Sequence, residues 1–164
     1  MAEPGDRAEV DTLHEREWGG PYVIAHDTRY DLRTLPTLVA VDGAGAVVGA
    51  LAYRCDAEGL EVVSLVAAVP GAGAGTTLLE VAASTAWAAG LPRLWLIAGN
   101  DNLRALCFYQ QRGLCLVGVD PGGGEPGAPP EAGDPVRRGG RHPAARRADP
   151  GAAYRCRQLT AGAG

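Results

Sequence analysis

The sequence predicts an α/β (α+β) fold, a mostly antiparallel sheet covered by helices, and three observations carry that prediction. First, residues 37–41, 47–54 and 60–67 are apolar, β-branched runs joined by the short turns Asp42-Gly43 and Asp56-Ala57-Glu58-Gly59, the pattern of an antiparallel meander. Second, the last of these runs passes straight into a glycine loop, Val69-Pro70-Gly71-Ala72-Gly73-Ala74-Gly75-Thr76, followed by apolar residues at helical spacing. Third, residues 93–97 and 114–119 are continuous apolar runs on either side of a second helical pattern, as expected in a covered sheet.

In chain order, residues 6–17 mix acid, base and apolar positions (Val10, Leu13, Trp18) in the manner of a short amphipathic helix, which Gly19-Gly20-Pro21 ends. Tyr22-Val23-Ile24-Ala25 reads as a strand, and Asp31-Leu32-Arg33-Thr34-Leu35-Pro36 as a turn into the meander. From Thr76 the period changes: Leu78, Leu79, Ala82, Ala86 and Trp87 recur at helical spacing, and Gly90 with Pro92 stops the helix. Because this helix is apolar on most sides, it is expected to lie buried against the sheet. Asn100-Asp101-Asn102 opens the next helix, which ends at Gly113.

The character changes after Asp120. Residues 121–150 hold seven Gly, seven Pro and five Arg, with Val136 the one large aliphatic side chain, so they cannot bury enough apolar surface to offset ordering entropy. The expected organisation is a core over 1–120, a Gly/Pro/Arg-rich flexible loop over 121–150, and a final strand (153–159) with a tail within 151–164.

Composition narrows the function classes. The chain has 164 residues, one domain's worth, and 46% are hydrophobic, yet no run reaches the length of a membrane span. The polar, acidic start Met1-Ala2-Glu3-Pro4-Gly5-Asp6 is not the pattern of a secretory signal, and a soluble cytoplasmic protein with no membrane partner is expected. Cys55, Cys107, Cys115 and Cys156 show no metal-ligand spacing; no metal is expected, and buried small apolar residues is their plain reading. All fifteen basic residues are arginine. Residues 1–120 carry eight of them against fifteen acids, a balance of −7, whereas 121–164 balance at +3. An acidic core argues against a nucleic-acid partner and is compatible with a cationic amine substrate.

The run Arg93-Leu94-Trp95-Leu96-Ile97, then Asn100-Asp101-Asn102, then Ala105, Phe108-Tyr109, Arg112 and Gly113 resembles the acyl-coenzyme A-binding core of the GCN5-related N-acetyltransferase (GNAT) superfamily. The resemblance covers about residues 37–119. It implies the family's fold, a central mixed, mostly antiparallel sheet flanked by helices. It also implies an N-acyltransferase moving an acetyl group from acetyl-coenzyme A, as co-substrate, to an amine of a small molecule; relatives are often homodimers. One departure stands out: where the family's loop usually begins with Arg or Gln this chain has Pro70, and the loop's other frequently basic position is Ala72. Pyrophosphate binding would then rest on backbone amides and the helix dipole. The same departure keeps open a second reading, a GNAT fold whose activity is lost or repurposed for ligand binding, partner support or another biosynthetic step.

Acyl transfer from a thioester to an amine needs a neutral amine, a stabilised oxyanion and a proton for the leaving thiolate. The resemblance gives the donor's role to Tyr109; the plain alternative is an aromatic pair, with Phe108, holding the helix on the sheet. Gly71, Ala72, Gly73, Ala74, Gly75 and Thr76 are the expected pyrophosphate amides. Leu65 and Val66 match the strand positions whose backbone contacts pantetheine and the thioester carbonyl in relatives. Asn100 and Asn102 suit N-capping, a ligand contact, or both. Glu61 is either a base for the amine or an exposed strand-end charge, and Ser64 is a weaker candidate. Arg104 and Arg112 read as solvated, with a contact to a phosphate as the alternative for either. His14, His26 and His142 fall outside the matched core and receive no catalytic role.

Overall fold

The structure, a computed structural model, describes residues 4–25, 28–99, 102–118 and 152–155. Helix α1 (Arg7–Trp18) ends where Gly19 turns into the left-handed region at φ 73°. A two-stranded antiparallel hairpin follows, β1 (Tyr22–Ala25) with β2 (Thr28–Asp31), braced by the Arg29 guanidinium lying 3.8 Å from the Tyr22 ring centroid. Sequence reasoning anticipates β1 and misses β2, because Thr28-Arg29-Tyr30-Asp31 has no apolar alternation to mark it.

The main sheet has the order β3-β4-β5-β6-β7. Strands β3 (Thr37–Val41), β4 (Val47–Asp56) and β5 (Gly59–Ala67) form the expected meander. Helix α2 (Ala74–Ala88) crosses over to β6 (Leu94–Ala98), which lies parallel to β5, as a strand–helix–strand crossover requires. Helix α3 (Leu103–Gln110) comes next, and β7 (Ala152–Arg155) pairs antiparallel with β6. The sheet is thus mixed and mostly antiparallel.

Alternation along the strands sends side chains to two separate layers. One face carries Leu38, Leu51, Tyr53, Leu60, Val62, Leu94 and Leu96 against Leu78, Leu79, Ala82 and Ala86 of α2. Leu51, Leu60 and Leu96 are almost wholly buried there, each contributing about 1.5–3 kcal/mol. On the other face Val10 and Leu13 of α1 cover Val47, Ala50 and Val66, while Leu32, Val23 and Tyr30 cover Ala52 and Val63. A carboxylate oxygen of Glu9 accepts the Val47 N–H at 2.7 Å and ties α1 to the start of β4.

Four expectations need correction. Helix α2 begins at Ala74, so Ala74, Gly75 and Thr76 form its first turn instead of the loop before it. It is not buried all round: Trp87 is 66% and Val81 44% exposed, because only one side of a helix can face a sheet. Residues 114–118 are not a strand; only Leu116 makes an isolated bridge, and residue 119 lies outside the described residues. Cys55, Cys107 and Cys115 are exposed free thiols and not core residues, while Cys156 lies outside the described residues. Residues 121–150 also lie outside them. No helix of the described residues is long and apolar enough to cross a membrane.

Candidate active site

Strands β5 and β6 pair over three positions only, Leu60↔Leu94, Glu61↔Trp95 and Val62↔Leu96. Beyond Val62, β5 continues to Ala67 along β4, and β6 continues to Ala98 along β7. The parting has a local cause. Tyr53 pairs with Val62 and Ala52 with Ser64, so Val63 is an extra residue in β5, a bulge that bends and twists the strand. Leu65 and Val66 lie on the diverging stretch, paired to Leu51 and Ala50 on one edge and without a β6 partner on the other.

The diverging strand leads into the glycine loop. Gly71 and Gly73 have φ 82° and 93°, conformations that side chains other than glycine's rarely adopt, and Gly73 is the N-cap of α2. Its carbonyl accepts from Thr76 (2.9 Å) and Thr77 (3.1 Å), and the Ala72 N–H turns back to Val69. The amides of Gly71, Gly73, Ala74 and Gly75 have no acceptor among the described residues, and no side chain caps the helix. Unpaired amides at a helix start, with the positive end of the macrodipole behind them, form an anion cradle.

Helix α3 lies across the start of α2. A methyl group on Gly75 would sit 3.2 Å from the tip of the Phe108 ring, so glycine there allows the two helices to meet. Asn102 caps α3, its Oδ1 accepting the Ala105 N–H at 3.0 Å, and is itself exposed. Asn100 lies outside the described residues. Tyr109 is half-buried against the α2-side core, its ring edge-on to Phe108 at 5.2 Å between centroids, and desolvation pushes its phenol up to about 12. The glycine loop, Leu65 and Tyr109 therefore gather around the α2 side of the sheet.

Arg112, expected to be solvated, is instead half-buried at the first turn of α2. Its Nε and Nη2 donate to Thr76 Oγ1 at 2.8 and 2.6 Å, its Nη1 donates to the Phe108 carbonyl at 2.8 Å, and its guanidinium stacks 3.7 Å from the Phe108 ring centroid. The alternative of a phosphate contact stays open for it, but its contact with Thr76 is not legible in the sequence because it joins residues 36 apart in the chain. Arg104 is exposed, as expected.

Glu61 sits apart from this group. It is 1% exposed, on the α1 side of β5, and accepts a hydrogen bond from Arg54 Nε in an ion pair. The reading of an exposed strand-end charge is corrected, because strands on both sides cover the position. Ser64, nearby on the same face, accepts from the Trp18 indole at 3.0 Å. His14, buried on α1, has neither ring nitrogen hydrogen-bonded among the described residues, and desolvation lowers its pKa, partly opposed by Asp11. Among the described residues no group of three or more His, Cys, Asp or Glu could hold a metal ion.

The sheet thus parts after three parallel pairs, and the diverging strand leads to a glycine-turned helix start. The profile of the Acetyltransferase (GNAT) family matches residues 7–114. The chain belongs to that family. The uncharacterized protein YdhI of Bacillus subtilis (strain 168) is 32% identical over 106 residues, 65% of this chain and 66% of YdhI. Just under two thirds of that relative's length is therefore spanned. Among solved structures, nourseothricin acetyltransferase superposes with TM-score 0.57 at 23% identity, covering 73% of this chain and 84% of that one. Rv2747 from Mycobacterium tuberculosis, in complex with CoA, gives TM-score 0.56 at 19% identity and covers 73% and 72%. At these identities the likeness concerns the fold.

Proposed function

We propose that the protein is an N-acetyltransferase that moves an acetyl group from acetyl-coenzyme A to an amine of a small molecule. The observation that carries this reading is the row of unpartnered amides at Gly71, Gly73, Ala74 and Gly75 beside the parting of β5 and β6. A diphosphate suits that cradle, and an extended pantetheine arm suits the β5 edge at Leu65 and Val66, where backbone groups lack a strand partner. The presence of CoA in the similarly folded Rv2747 structure supports the same ligand.

In this reaction the amine nitrogen bonds to the thioester carbonyl carbon, the C–S bond breaks, the amine loses a proton and the coenzyme sulfur gains one. Tyr109 is the group offered to the sulfur. Glu61, one residue before the last β5–β6 pair and on the opposite face, is the carboxylate offered to the amine's proton, directly or through water, although it already accepts from Arg54. Asn102 keeps its capping oxygen engaged and holds the start of the Tyr109 helix.

The test has two stages. Saturating acetyl-coenzyme A should raise the unfolding midpoint, by the equivalent of ~2.7 kcal/mol at 100 times the dissociation constant. Thiol release should then appear with one or more members of a panel of small amines. No stabilisation at millimolar coenzyme would overturn the reading and leave a GNAT fold put to another use.

A further inference from the structure

Arg112 follows the C-terminal end of α3, where a cation is favoured, but its guanidinium reaches the first turn of α2, where it is not. The first turn of α2 already carries the equivalent of about half a positive charge, so a guanidinium hydrogen-bonded to Thr76 adds like to like. No carboxylate of the described residues lies within ion-pairing distance of Arg112, whereas Arg33 and Arg93 each have one and Arg54 has two. Three of its five N–H groups are used, two of them on Thr76 Oγ1. Both lone pairs of that oxygen are thereby taken, which leaves the hydroxyl free to donate. Within one helical turn there are then two guanidinium N–H groups, one O–H and the amides of Ala74 and Gly75, all donors without an acceptor among the described residues. Stacking on Phe108 and the Phe108 carbonyl fix the guanidinium in place.

We infer that Arg112 supplies, from the end of α3, the cation that Pro70 and Ala72 deny the loop, and that it grips the diphosphate of the coenzyme. Thr76 orients the fork and adds its own hydroxyl. The inference rests on the acetyl-coenzyme A reading for the ligand's identity, but the diphosphate site can be tested by itself. It also explains how an uncharged loop remains compatible with a doubly charged ligand.

The experiment uses the full chain, wild type and with Arg112→Gln or Arg112→Lys, after the unfolding midpoint of each free variant shows that it folds. Titrations with coenzyme A and with 3′-dephospho-coenzyme A should show the Gln variant binding both about ten- to a hundred-fold more weakly, by the same factor, with Lys losing less. Any loss of turnover with acetyl-pantetheine, which has no diphosphate, should be much smaller than the loss with acetyl-coenzyme A. Inorganic pyrophosphate should protect wild type against heat and fail to protect the Gln variant. Three results would each overturn the assignment: unchanged affinity in the Gln variant, a loss confined to coenzyme A and absent with the dephospho form, or an equal loss with acetyl-pantetheine. A wild-type chain protected by pyrophosphate in an Arg112-dependent way but indifferent to coenzyme A would uphold the site and sink the acetyl-transfer reading. Protection by neither ligand would overturn both.

Discussion

Tyr109 illustrates how burial would both equip and limit the proton donor proposed for this site. Desolvation pushes its phenol up to about 12, so it carries its proton throughout the range in which an enzyme works. The same shift makes it a poor acid toward a thiolate of ordinary basicity near 8.5, a mismatch of about 3.5. In the proposed reaction its contribution would therefore be a hydrogen bond that strengthens as charge builds on sulfur, with the proton following as product leaves. Tyr109→Phe should lower kcat about a hundred-fold or more and leave coenzyme affinity nearly unchanged. The pH–rate profile should show no alkaline fall belonging to Tyr109 below pH 11; an unchanged kcat would remove it from the mechanism. His14 offers a second test at this scale. Its folded pKa is depressed by desolvation while the unfolded value stays near 6.5, so the unfolded chain takes up the proton first as pH falls. Its contribution to stability is complete above about pH 6.5 and is lost as pH drops below it toward the folded value. Melting curves from pH 7.5 to 5 should show that fall, and His14→Leu should flatten it while keeping or raising the midpoint at pH 7.5, since two unsatisfied ring nitrogens leave the core.

Elements meet here through glycines where a Cβ has no room. A Cβ on Gly59 would lie 2.3 Å from the Arg93 carbonyl oxygen, in a backbone already at φ 140°, and the next amide, that of Leu60, donates to the same oxygen at 2.9 Å. The β4–β5 turn thereby seats against the entry to β6 and sets the Leu60↔Leu94 register from which the short parallel ladder starts. Gly59→Ala should cost about 2 kcal/mol or more in urea unfolding. Stability equal to wild type would show that the turn relaxes freely. What the sequence declares about such elements depends on whether the cause is local. The meander is legible because Asp42-Gly43 and the turn ending at Gly59 punctuate three apolar runs, and β3 occupies the predicted residues. The cradle glycines are legible for the same reason. The Val63 bulge, the three-pair ladder, the burial of Glu61 and the approach of Arg112 to Thr76 all depend on how distant segments pack, which no run of neighbouring residues encodes. Asn102 lies between these cases: its capping bond is local and readable, whereas any ligand contact is not.

At the scale of the whole molecule, the sheet closes around a strand that the chain's middle cannot supply. Strand β6 carries Trp95, Leu96 and Ile97, and only three of its positions pair with β5. Its other edge is covered along residues 95–98 by β7, delivered from beyond residue 150. Without β7, an apolar strand would present a row of unpaired backbone groups to solvent, a template for pairing with a second copy. The candidate site should be less affected, because the glycine turn, α2, α3 and the β4-paired edge of β5 all lie before residue 119. Ending the chain at residue 120 should therefore lower the unfolding midpoint and produce concentration-dependent self-association in light scattering, with any coenzyme binding by the remaining monomer kept within about tenfold of the full chain. A truncated chain that stays monomeric at the wild-type midpoint would show that β7 adds nothing to the sheet. Collapse of coenzyme affinity in a still-folded monomer would show that the last strand belongs to the site as well as to the frame.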